Sequence, residues 1–155
     1  MDDELNDIYL NVVQEMKRID HIIFVTLKYT RTVDVLKSII LRMIAAFDYM
    51  IDLILEMYKK KGELDSVPTS PGLKVDQLRK LSEDDKITEM LDFYLTLRRV
   101  SRSEYETINE YKRHVGMVVQ NPDGSEITIN IDNVTEYYYS IKEYLDYVRN
   151  LVDTE

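Results

Sequence analysis

A chain of 155 residues, 45% apolar and 32% charged, is long enough to bury one core and too apolar for a disordered segment. The absence of cysteine excludes disulfides, thiolate nucleophiles and sulfur-ligated metal centres, in keeping with a cytoplasmic setting. A net charge of −9 speaks against a protein whose whole surface grips nucleic-acid phosphates, so such a role would need a local basic patch.

The opening Met1-Asp2-Asp3-Glu4 is acidic, the reverse of a secretory leader's positive start, and no leader is expected. Every glycine and proline falls within 62–72 or 116–124. These residues punctuate regular structure, so one domain over 1–155 is expected, with a loop at 62–73 between two helical halves. In the first half Tyr9, Val12, Met16, Ile19, Ile23 and Thr26 alternate at spacings of three and four, a helical seam. His21 lies off that seam, as a surface or partner-contact residue. Tyr29-Thr30-Arg31-Thr32 breaks the rod, and Thr32 can cap the next helix.

A second helix spans 33–60 and stops at Gly62 behind three lysines. On a wheel its polar residues gather within about 140°, leaving an apolar arc of about 220° where a surface helix needs little more than about 100°. This helix is either the centre of its own bundle or the seam of a homodimer. Lys37, Arg42, Asp48, Asp52 and Glu56 interrupt the apolar run 36–58, so no membrane span is expected.

A short helix is predicted at 75–81. Another runs from a capping pattern at Ser82 and Asp85 to about residue 100. Ser103 and Glu106 repeat the pattern and predict a further short helix over 103–113. The period then changes. Val115, Met117 and Val119 alternate, as do Ile127, Ile129 and Ile131, around a turn at Asn121-Pro122-Asp123-Gly124. Asn133, with Glu136 three residues on, is expected to cap a last helix to about residue 152. The fold class is therefore mainly α: an antiparallel bundle of four to five helices with one β-hairpin, at about 115–131, before the last helix.

Three constellations carry potential chemistry. Asp48, Asp52 and Glu56 form a carboxylate stripe at i, i+4, i+8, similar to the acids that hold Mg²⁺ in all-α nucleotide pyrophosphatases. The stripe falls in the solvent sector of its helix, and a solvated face is the simpler account. Arg98, Arg102, Lys112, Arg113 and His114, with tyrosines among them, are candidates for binding an anion or single-stranded RNA. Glu104, Glu106 and Glu110 dilute that patch, and salt bridges between packed helices are the simpler account. Phe47, Met50 and Ile54 on the over-apolar helix, with Tyr137, Tyr138 and Tyr144 on the last, are candidates for a protein interface. No cofactor is expected.

The layout of helices 33–60 and 83–152, with a hairpin-bearing insert, resembles HEPN-type bundles (higher eukaryote and prokaryote nucleotide-binding domains). The resemblance implies a dimeric helical bundle. It does not imply ribonuclease catalysis, because no arginine stands four to six residues before His114 or His21 as the active members' motif requires. The sequence thus leads to a non-catalytic helical interaction protein, expected to be a homodimer. A nucleotide- or RNA-binding module and a Mg²⁺-dependent phosphohydrolase are the alternatives.

Overall fold

In the computed structural model, which describes residues 1–154, Asp2 caps α1 (Asp3–His21) by accepting the Leu5 N–H at 2.9 Å. The rod does not stop at His21. Its backbone widens into a π turn over Ile22–Thr26, where the Leu27 N–H reaches back to the Ile22 carbonyl, and then closes as α2 (Leu27–Tyr29). The run Ile22, Ile23, Val25 and Thr26 is crowded at χ1, which disfavours the tighter α spiral. The widened turn leaves Ile23 and Leu27 both buried, whereas Thr26, expected on the seam, is half-exposed.

Thr32 caps α3 (Val33–Lys60) as predicted, its hydroxyl accepting the Val35 N–H. The helix ends in a Schellman turn: Gly62 sits at φ +79°, Glu63 N–H bonds to the Tyr58 carbonyl and Gly62 N–H to that of Lys59. Ser70 and Pro71 open α4 (Pro71–Leu81), four residues before the predicted start. α5 (Asp85–Arg102) is capped by Asp84, not Ser82; the Asp84 carboxylate takes the Lys86 and Ile87 N–H groups, and the Ser82 hydroxyl accepts the Asp84 N–H.

The helix predicted over 103–113 does not form. β1 (Glu106–Ile108) lies there instead, antiparallel to β2 (Gly116–Gln120), which pairs in turn with β3 (Glu126–Asn130). The expected hairpin is thus two strands of a three-stranded sheet in the order β1-β2-β3. Asn109 and Tyr111, at φ +53° and +67°, turn the chain between β1 and β2 and cannot belong to a right-handed helix. That turn docks on the α2–α3 junction through Tyr111 N–H to the Arg31 carbonyl (2.8 Å) and the Glu110 carboxylate to the Val33 N–H. β3 runs straight into α6 (Ile131–Thr154), and its cap is Asn130, which accepts the Asn133 N–H, not Asn133 itself.

α3 packs against α1, α4, α5 and α6 within one chain. Its wide apolar arc is used up there: Leu36, Ile39, Met43, Phe47, Met50, Leu53 and Ile54 have no solvent exposure. Phe47 meets Phe93, Tyr94 and Tyr144 at centroid distances of 5.6, 6.0 and 6.1 Å. Burial of each such side chain contributes roughly 1.5–3 kcal/mol. Between the two readings of the arc, the structure shows the centre of a bundle. The molecule is mainly helical, with a small antiparallel sheet before its last helix.

Candidate functional site

The carboxylate stripe is only partly open to solvent, because α4 and α5 pack beside it. Asp48 accepts the Tyr94 hydroxyl at 2.5 Å, and burial pushes its carboxyl above the usual range although Tyr94 and Arg98 pull the other way. Asp52 pairs with Lys74 of α4 at 2.7 Å. Glu56 is half-buried. Among the described residues no three acids or histidines come together as metal ligands. Asp84, another nearby acid, is occupied at the α5 terminus, where it also receives the Tyr147 hydroxyl.

The predicted basic patch is divided between the end of α5 and the β1–β2 turn. The Arg98 guanidinium lies 5.7 Å from the Tyr94 ring centroid, and Arg102 Nε donates to the Arg98 carbonyl. Lys112, Arg113 and His114 stand exposed on the β1–β2 turn. Of the interface candidates, Phe47, Met50 and Ile54 are fully enclosed, and Tyr138 and Tyr144 are buried. Tyr137 is half-buried against Phe93, at 5.0 Å. Tyr139 is the member of the triple tyrosine that faces outward, 52% exposed.

A different set of side chains does converge. Gln14, Lys17, Arg18 and His21 fall at i, i+3, i+4 and i+7 on α1 and so form one stripe. With Ile22 and Arg42 of α3 they line a cleft of about 500 Å³. Lys17 and His21 also line a second cleft of about 490 Å³ on the other side of α1, against Asp20, Val25, Tyr138 and Lys142. A third, smaller groove meets the π turn at Ile22 and Thr26. Three concavities therefore border the one irregular turn of the rod, the kind of feature that recurs at functional sites.

The electrostatics of this face depart from the average of the chain. Lys17, Arg18, His21, Arg42 and Lys142 surround the two larger clefts, against Asp20 and a buried Glu15. Asp20 is held by the Tyr138 hydroxyl at 2.8 Å; burial, and then this bond, push that phenol up to about 12. Among the described residues Lys17, His21 and Lys142 make no ion pair, and Lys142 Nζ lies 5.5 Å from the Tyr138 ring centroid. These groups are donors and cations. What they can do is hold and orient an anion.

The signal was present in the sequence as Lys17, Arg18 and His21 at helical spacing beside the seam. It pointed nowhere without Arg42 and Lys142, which only the packing of α3 and α6 against α1 brings near. No protein-family model, curated protein or solved structure matches the chain. No helix is long and apolar enough to cross a membrane among the described residues.

Proposed function

We propose that the chain is a non-catalytic binding module whose partner is anionic and seats on the basic face of α1. The observation that carries this reading is the gathering of four cationic side chains, Lys17, Arg18, Arg42 and Lys142, with His21 around two adjoining clefts in a chain of net charge −9. Clefts lined by one sign of charge concentrate oppositely charged ligands, and an acidic average over the chain does not cancel that local field within a Debye length. The helical layout that resembles HEPN bundles is compatible with a binding role. The rival anion site, from Arg98 to His114, is less favoured because Arg98 is engaged by Tyr94 and Arg102 by backbone, while Lys112, Arg113 and His114 lie on the β1–β2 turn.

The test is titration of the chain with inorganic tripolyphosphate at two salt concentrations, alongside the double variant Lys17→Ala, Lys142→Ala. Both lysines are exposed, so the variant keeps its fold. Binding that weakens with salt and weakens further in the variant supports the reading. Absent binding at low salt, or binding that the variant leaves intact, sinks it.

A dimer sealed by α3 loses its argument, since that helix is satisfied within the chain.

A further inference from the structure

Resting on that reading, we propose that the α1–α3 half of the face is a phosphate site, made for the terminal phosphate of a small molecule and organised by Glu15. Glu15 is the charged side chain in the core among the described residues, 4% exposed. A carboxylate so placed must be paired. Arg18 Nη1 donates to its Oε1 at 2.7 Å, and Arg42 Nη1 faces its Oε2, which makes no hydrogen bond of its own, at 3.5 Å.

One arginine would suffice to neutralise Glu15. Two converge on it, from different helices, and both line the same cleft. Their side chains are 46% and 47% exposed. A guanidinium carries five N–H donors in a rigid fork. Each of these directs one nitrogen inward to Glu15 and has no other acceptor among the described residues. Glu15 thus draws both guanidinium groups to one cleft, Arg18 by a hydrogen bond and Arg42 by charge, with Lys17 and His21 also lining it. Three permanent cations stand against one carboxylate, and the site is positive before His21 is counted.

A phosphomonoester fits this set better than a chloride or a carboxylate. It carries close to two charges at neutral pH and three terminal oxygens, so each fork can take oxygens of its own. A nucleic-acid backbone offers one charge per phosphate, and proteins that grip it string cations along the strand. Here the cations converge. The cleft opens to solvent beyond Arg18 and Arg42, so a phosphate seated there can carry a small organic body.

Calorimetric titration of the full chain with phenyl phosphate and inorganic orthophosphate tests the assignment. Arg18→Ala and Arg42→Ala should each weaken binding at least about tenfold, the loss of a charge-assisted hydrogen-bond pair. Arg42→Lys, which keeps the charge, should also weaken it, and Lys112→Ala, on the exposed β1–β2 turn, should leave it unchanged. Circular dichroism of each variant separates lost binding from lost fold, and Arg42→Lys guards against an unpaired Glu15. Phosphate binding indifferent to both arginines overturns the proposal. Binding that follows Lys142 instead, or a single-stranded oligouridylate that binds more tightly than phenyl phosphate, overturns it while leaving the anionic-partner reading standing. If tripolyphosphate also fails to bind, both fall.

Discussion

Burial governs the unusual side chains of this protein one at a time. Asp48 is held above its ordinary range first by desolvation, so its ionised form costs stability. Because the folded pKa is the higher one, the stability tied to its protonated form is lost as pH rises through that pKa. Asp48→Asn keeps an acceptor for the Tyr94 hydroxyl and removes the charge. Its melting temperature at neutral pH should equal or exceed that of the parent, whereas Asp48→Ala, which strands a buried hydroxyl, should cost about 1–3 kcal/mol. A strongly destabilised Asp48→Asn would show that the charge itself holds α3 to α5. Tyr138 and Tyr144 obey the same logic in the alkaline range. Burial, then Asp20 for one and Glu89 for the other, push both up to about 12. Their contribution is fully present below the ordinary phenol pKa of about 10 and is lost as pH climbs toward the folded value. Ultraviolet titration should therefore show a late wave of phenolate absorbance that coincides with loss of helical circular dichroism. A late wave without unfolding, or none at all, would contradict the coupling.

At the scale of elements, what local chemistry decides was legible and what pairing decides was not. Thr32, Gly62 and the Asn121–Gly124 turn act within a few residues, and the helix start, helix stop and hairpin they imply are present. The error at 103–113 has the opposite origin. Ser103 and Glu106 carry the letters of a capping box, but Thr107 and Ile108 gain more by pairing with Met117 and Gly116 across a turn. Gly116 makes the approach possible. A Cβ there would lie 3.2 Å from the Ile129 carbonyl and 3.3 Å from the Ile108 side chain. Gly116→Ala should accordingly destabilise by about 1–3 kcal/mol, the range for overpacking. Hydrogen exchange should register the loss first at β1, and uniform exchange across the sheet would argue that β1 and β3 share the strain. The candidate site was illegible for a related reason. A helical wheel shows which residues share a face of α1, but not that Arg42 and Lys142 arrive from helices remote in sequence.

For the whole molecule, the question is where the excess apolar surface of α3 goes, because that surface was the first argument for a partner. A 220° arc has two outlets, and sequence alone does not choose between them: the same residues serve a core or a dimer seam. Tertiary packing chooses. α1, α4, α5 and α6 surround the helix, and Phe47 ends with no exposed surface and aromatic neighbours from both α5 and α6. Phe47→Ala removes contacts inside one chain, so it should lower unfolding free energy by about 3–5 kcal/mol. The decisive readout is concentration. An interface mutation changes stability by mass action, and its penalty varies with the amount of protein. The penalty for Phe47→Ala should be the same in dilute and concentrated solution, measured by denaturant midpoint. A penalty that shrinks or grows with chain concentration would return α3 to an interface, and with it the homodimer. If the penalty holds constant, partner binding must be sought on the surface that packing leaves exposed, and the cationic face of α1 is a part of that surface where charge and clefts coincide.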